Sequence, residues 1–357
     1  MEKRAGTQKD NTVYVVGAGF SAGLGYPLTT NLLVEVWPKL KPDLQQRLGK
    51  VIQFHHPNFN PKKNTSFPYI ETLLTEIAVN LDMFGASRRV EGAFARAELR
   101  KVQAELLTEI AHWFHGLYKE AQSEPWLQKV TTLIRREKAT VISFNWDLIL
   151  DHGLFDGPIG PAMYGLGTSQ KPGPRLLKPH GSLNWYLGSQ AQPIRETKKV
   201  RIHPGKGKNS EVWAFLPPRD VKTGNERMYT PFIVAPTFLK DFSHPISREL
   251  WRQCADAISV ASRIVILGYS LPEADLQAKF IFRCGFHNQM AGTIRDRKTR
   301  NDATGAAHVT LMSPDGAAAK RIEGVIGPNA SFDWKPMKVE QWAVSLPTKP
   351  TSRIKHA

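Results

Sequence analysis

Cysteine is almost missing from this chain: Cys254 and Cys284 are the only two among its 357 residues. Two thiols cannot build a disulfide framework or a four-thiolate zinc site, so stability has to come from packing. Long apolar runs are missing as well. No stretch approaches the ~18 apolar residues that a membrane-spanning helix requires, and the first apolar run, residues 13–16, meets glycine too early for a secretory signal. The expectation is a cytoplasmic chain without membrane contact. Negative charge is the third scarcity: 32 Asp plus Glu stand against 48 Lys plus Arg, a formal net charge of +16. Such a field attracts nucleotides, nucleic acid or acidic proteins without choosing among them. A hydrophobic fraction of 41% and a charged fraction of 22% exclude a wholly disordered, collagen-like or coiled-coil chain. The length suits one large α/β domain with an insert, or two domains.

What is present reads as an α/β protein. TVYVVG, residues 12–17, is a β-branched and aromatic run stopped by glycine, the pattern of a buried strand. Residues 29–37 read as the next helix, with Thr29 or Thr30 as its cap and Leu32, Leu33 and Val36 on its apolar face. Residues 38–138 show helical patterns and no convincing strand. The best of them places Val102, Leu106, Ile110, Trp113 and Leu117 at three- and four-residue steps. This is the pattern of a helical insert, too long to be only a connection between strands. Three further nearly continuous apolar runs, residues 139–145, 262–270 and 307–315, have the character of central strands in a parallel sheet covered on both faces. Residues 158–236 are rich in Gly, Pro and basic side chains and read as loops and hairpins outside the doubly wound core. Residues 1–11 and 346–357 read as flexible ends of a single domain spanning 12–345.

Ligands of an open α/β sheet bind beyond the carboxyl ends of its strands. That rule gathers residues 17–25, 144–147, 268–270 and 313–315 at one crevice. GAGFSAGLG has the composition of a phosphate-binding turn, or of a tight strand-to-helix turn without a ligand. A nicotinamide dehydrogenase would need an acidic residue closing a second strand within ~30 residues, and Glu35 falls inside an apparent helix instead. FNWD sets Asn145 and Asp147 at the end of a buried strand, where either could also cap the following helix. KPHGSLNW holds His180 between proline and glycine.

In combination these segments resemble the sirtuin superfamily. GAG with Ser21, then Gly25, Tyr26 and Pro27, is similar to its cofactor loop. Residues 144–147 match its Gln-Asn-Ile-Asp motif at Asn145 and Asp147, and His180 with Gly181 matches its catalytic His-Gly. Gly268 and Ser270 fit its later Gly-Thr-Ser, and Asp315 lies where an acidic residue often follows the next strand. The motifs keep the family's order over roughly residues 12 to 320. Two departures stand out. Leu28, Thr29 and Thr30 replace the Asp-Phe-Arg of sirtuin deacylases, and the four-cysteine zinc module cannot exist here. HGSLNW and GYSLPEADL are instead similar to prokaryotic sirtuin-like proteins of antiphage defence, which hydrolyse NAD and in some cases occur beside a HerA-type ATPase.

The resemblance implies a Rossmann-like doubly wound parallel sheet, NAD+ as substrate, and no metal. Asn145 would orient water or a ribose hydroxyl, Asp147 would hold the carboxamide or the local network, and His180 would act as general base. Gly17, Ala18, Gly19 and Ser21 would hold the pyrophosphate, and Gly268, Ser270 and Asp315 would face the adenosine half. The rivals are an NAD- or ADP-ribose-binding scaffold subunit of an ATPase, a deacylase or ADP-ribosyltransferase, and a nuclease. The missing zinc module and the missing carboxylate cluster weigh against the last two classes. Expected partners are further copies of the chain through the helical insert, a HerA-type ATPase, and nucleic acid through two basic clusters. Arg195, Lys198, Lys199, Arg201, Lys206 and Lys208 form the first cluster; Arg295, Arg297, Lys298 and Arg300 form the second.

Overall fold

Five consecutive buried residues form the first strand among the described residues. In β1 (Thr12–Val16) both faces are buried, so the strand has to lie inside a sheet covered on both sides. The computed structural model describes residues 11–83, 95–155, 161–166, 173–187, 199–202, 212–215, 232–234, 244–273, 275–291, 307–327 and 330–347. Most of both terminal segments and both basic clusters lie outside the described residues, save the backbone of Lys199 and Arg201.

After β1 come α1 (Ala18–Ala22), α2 (Leu32–Val36), α3 (Pro42–His55), α4 (Ile70–Met83), α5 (Arg96–Ala121) and α6 (Pro125–Glu137). The middle of the chain runs through β2 (Thr140–Ser143), α7 (Ile149–Leu154), β3 (Arg175–Leu177), β4 (Trp185–Leu187), β5 (Lys199–Ile202) and β6 (Val212–Phe215). It ends with α8 (Pro245–Ser259), β7 (Arg263–Leu267), α9 (Leu276–Ala291), β8 (His308–Met312), α10 (Gly316–Ile326), β9 (Phe332–Lys335) and α11 (Val339–Val344).

Six strands form one sheet in the order β3-β2-β1-β7-β8-β9. Every neighbouring pair is parallel. Counted along the chain, the order is third, second, first, fourth, fifth, sixth, which is the Rossmann-like doubly wound arrangement expected from the apolar runs. The winding reverses between β1 and β7, so the switch point of the sheet lies at their carboxyl ends. The strands β4, β6 and β5 form a separate antiparallel sheet.

The connection from β1 to its parallel neighbour β2 needs a crossover, and this chain makes it with helices alone among the described residues. α3, α4 and α5 pack on one another, and α5 also packs on α2. Val102, Leu106 and Ile110 are buried on α5, as their spacing predicts. α6 behaves differently: it packs on α7 and α11 and leads straight into β2, so it belongs to the layer covering the sheet.

Three expectations need correction. The helix after β1 does not wait until residue 29; α1 starts at Ala18, inside the glycine segment. Thr29 and Thr30 do not cap α2, whose N-cap is Asn31, with no side-chain cap bond. And residues 158–236 do contribute to the core: β3 adds to the parallel sheet, because a run of three residues is too short to show a period yet long enough to extend the ladder beside β2.

Candidate active site

The site grows out of the point where β1 and β7 diverge. Gly17 N donates to Leu267 O at 3.2 Å, Gly19 N to Gly268 O at 2.8 Å, Gly268 N to Met312 O at 3.0 Å, and Phe144 N to Val16 O at 2.9 Å. These bonds lace together the turns that leave β1, β2, β7 and β8. The glycines make the approach possible. A β-carbon on Gly17 would lie 2.6 Å from Tyr269 Cα. One on Gly268, at φ +60°, would strike the backbone of Gly19 and Phe20. Gly268→Ala is therefore expected to cost about 2 kcal/mol or more in chemical denaturation, since it adds left-handed strain to a clash with backbone. A loss below about 0.5 kcal/mol would show that the two turns can separate freely.

From this turn a hydrogen-bonded chain runs to β2. Asn145 Nδ2 donates to Gly17 O at 2.9 Å and to Ser21 Oγ at 2.9 Å. Ser21 Oγ in turn donates to Asp147 Oδ2 at 2.6 Å, and Asp147 Oδ1 accepts from Ile149 N at 3.1 Å. A carbonyl only accepts, so Gly17 O settles which end of the Asn145 amide carries hydrogen. Both Nδ2 protons are used, and Oδ1 of this half-buried residue accepts from no donor among the described residues. Asp147 is buried, and burial pushes its carboxyl above the ordinary range, against the opposing pull of Lys178, Ser21 and the Ile149 amide. Both its oxygens are engaged, so Asp147 organises the network and at the same time caps the turn into α7.

The next turn is anchored by a buried ion pair absent from the sequence reading. Lys178 and Asp151 are about 1% exposed and lie 2.9 Å apart. Lys178 Nζ also donates to Asp147 O at 2.6 Å and to Ser182 Oγ at 2.7 Å. Tyr164 OH donates to the other Asp151 oxygen at 2.6 Å. The pair joins α7 to the segment after β3 and so sets His180 relative to Asn145 and Asp147. Gly181, at φ +77°, lets the 232–234 backbone close over the turn: a β-carbon there would meet Phe232 O. Val234 N donates to His180 O at 2.9 Å.

His180 is 4% exposed, packed edge-on against Phe144 and tilted against Trp251. Its flanking proline and glycine give no sign of this burial under aromatic rings. Its Nδ1 is 3.2 Å from Phe144 O, and its Nε2 is 3.4 Å from Asp275 Oδ2. Asp275 is buried too. It accepts from Tyr269 OH at 2.9 Å and from Ala278 N at 3.3 Å, where α9 begins. Tyr269 stacks on Phe144, with ring centroids 4.3 Å apart, and burial raises its phenol well above the usual value. Within GYSLPEADL, Asp275 has the pattern of an ordinary helix-start carboxylate, so nothing local marks its contact with His180.

The remaining candidates lie along the same edge. Asp315 is the N-cap of α10, its side chain accepting from Ala317 N at 2.8 Å. Arg321 bridges it to Ser270, reaching Ser270 O at 2.9 Å and Asp315 Oδ2 at 3.3 Å. Gly268 and Ser270 follow β7, next to the glycine turn. Among the described residues, no group of three or more His, Cys, Asp or Glu side chains is gathered as metal ligands.

The strand order and this site define a Rossmann-like α/β protein with a polar network at its topological switch point. No protein-family model matches the chain, and no curated protein matches it. Among solved structures the chain is similar to a Sir2 homologue in complex with NAD, at 12% identity and TM-score 0.41, covering 93% of this chain and 86% of the other. It is also similar to a Sir2 enzyme structure concerned with mechanism and regulation, at 13% identity and TM-score 0.44, covering 94% and 90%. A third, Sir2Tm bound to a propionylated peptide, shows 12% identity and TM-score 0.39, covering 94% and 90%. At these scores the likenesses assign nothing by themselves, and the fold class rests on strand order and register.

Proposed function

We propose that the protein is an NAD+ glycohydrolase, cleaving NAD+ to nicotinamide and ADP-ribose. The observation that supports this most is the Asn145 amide. Its nitrogen is tied to Gly17 and Ser21, and its oxygen is offered as an acceptor at the switch point of a doubly wound sheet. In the reaction the bond from ribose C1′ to the pyridinium nitrogen breaks, and its electron pair stays on nitrogen, so nicotinamide leaves neutral. Water bonds to C1′ and gives up a proton. The transition state resembles an oxocarbenium ion, so fixed polar groups near the ribose and the entering water contribute most of the acceleration.

Asn145 Oδ1 orients the water or a ribose hydroxyl, and His180 handles the proton. Asp147 keeps Ser21 and Asn145 in register. Gly17, Ala18 and Gly19 let the pyrophosphate approach the backbone. Gly17 and Gly19 have already committed their amides to Leu267 and Gly268, and Ser21 its hydroxyl proton to Asp147, which leaves the Ala18 amide, at the first position of α1, as the donor of this group. Gly268, Ser270 and Asp315 face the adenosine half. In the antiphage setting implied by the sequence resemblance, turnover depletes NAD. The α3–α5 insert then serves for assembly with further copies or with an ATPase, and the basic loops for nucleic acid.

Purified protein incubated with NAD+ is expected to yield nicotinamide and ADP-ribose in equal amounts. A second reading, a module that binds NAD or ADP-ribose without turnover, is favoured by the engagement of both His180 ring nitrogens within the protein. Binding by calorimetry with no product over hours would select it. Sedimentation equilibrium addresses assembly: a strict monomer with full activity would remove the role given to the insert.

A further inference from the structure

We propose that Asp275 is a positioning residue for His180: it fixes the ring between two acceptors and keeps the imidazole protonated on both nitrogens in the unliganded protein. The catalytic meaning of this state rests on the reading above. The geometry behind it does not. Nδ1 faces the Phe144 carbonyl, which can only accept, so Nδ1 carries hydrogen. Nε2 lies 3.4 Å from the Asp275 carboxylate; a proton on Nε2 makes this contact an ion pair, whereas a bare nitrogen would set its lone pair against a negative oxygen.

Asp275 is held in turn by Tyr269 OH and by Ala278 N, so the carboxylate cannot simply swing away from the ring. The groups set against His180 come from several elements. The turn after β2 supplies the ring and carbonyl of Phe144, α8 supplies Trp251, and the β7–α9 connection supplies Asp275, which Tyr269 holds. Lys178, two residues before His180 on its own segment, is committed to Asp151, Ser182 and the Asp147 carbonyl. Asp147 is bonded to Ser21.

The sign follows from these neighbours. A carboxylate within ~4 Å favours the imidazolium and raises the pKa of the ring by ~1 to 3 units, whereas burial lowers it. Removing the carboxylate charge takes away the part that raises it. His180 then becomes a base only after losing the proton held toward Asp275, so a base-catalysed reaction rises with pH through that titration.

The experiment is an NMR titration of the ring nitrogens in the full chain, with the His180 signal assigned by its absence in His180→Gln. In the wild type the ring is expected to remain doubly protonated above the ordinary histidine value of ~6.5. In Asp275→Asn, a near-isosteric change, the midpoint should fall by about one unit or more, a tenfold or greater loss of proton affinity. Tyr269→Phe removes one donor from the carboxylate and should move the midpoint upward. An unchanged midpoint in Asp275→Asn, or a downward move in Tyr269→Phe, overturns the proposal. Where nicotinamide release is measurable, its pH profile should shift downward with the ring in Asp275→Asn. A purely structural Asp275 would lower the rate without moving the profile. Failure of the wild type to release nicotinamide would sink the glycohydrolase reading, while the titration would still decide the role of Asp275.

Discussion

Asn145→Ala is expected to lower nicotinamide release about 100-fold or more, the usual effect of removing a positioned polar group at a reacting centre. The variant should still fold. Alanine gives up two hydrogen bonds, to Gly17 O and Ser21 Oγ, at a cost of about 1 kcal/mol each, and a domain of this size tolerates that loss. His180 needs a gentler substitution. It is buried against Phe144 and Trp251, so alanine would leave a cavity and remove a partner from Asp275. His180→Gln keeps volume and a donor, and it should show a comparable loss of rate with a near-native unfolding midpoint. Turnover within tenfold of wild type in either folded variant would remove that residue from the mechanism.

Asp151→Ala should produce the largest change in stability, about 3–5 kcal/mol, because it leaves the Lys178 ammonium buried without its counter-charge. Tyr164 loses its acceptor in the same step. Denaturant midpoints would measure the effect. The double variant Asp151→Ala with Lys178→Met removes both charges and should recover part of the loss, since breaking a buried pair costs more than replacing it with apolar groups. A single-variant cost below about 1 kcal/mol, or a double variant no better than the single, would show that the pair is relieved by local rearrangement.

The central strands were readable because each is a short run of β-branched and apolar residues buried on both faces, a pattern that needs no knowledge of partners. α5 was readable for the same kind of reason, its apolar residues recurring at helical spacing. The crevice segments could be gathered in advance because a parallel sheet sends every carboxyl end to one edge, so naming the strands already names the residues that meet. Asn145 and Asp147 stood out as polar groups closing an apolar strand.

Other features had no local trace. β3 and β9 span three and four residues, too few to carry a period, and they become strands only because β2 and β8 offer them a ladder. α1 could not be foreseen inside a glycine-rich segment, where propensity argues against a helix. The roles of Lys178, Asp151 and Asp275 depend on partners brought from other elements. In the sequence each is one charged residue among 80 Lys, Arg, Asp and Glu, with nothing to mark it as buried.

The sequence by itself thus determined the sheet class and which residue types meet at the carboxyl ends of its strands, because apolar periodicity and glycine placement act over a few neighbouring positions. Only the tertiary structure decided which polar groups meet and which donors are already engaged. Those depend on distances of about 3 Å between segments far apart in the chain, where a single carbonyl or carboxylate settles whether a nitrogen gives a hydrogen bond or receives one.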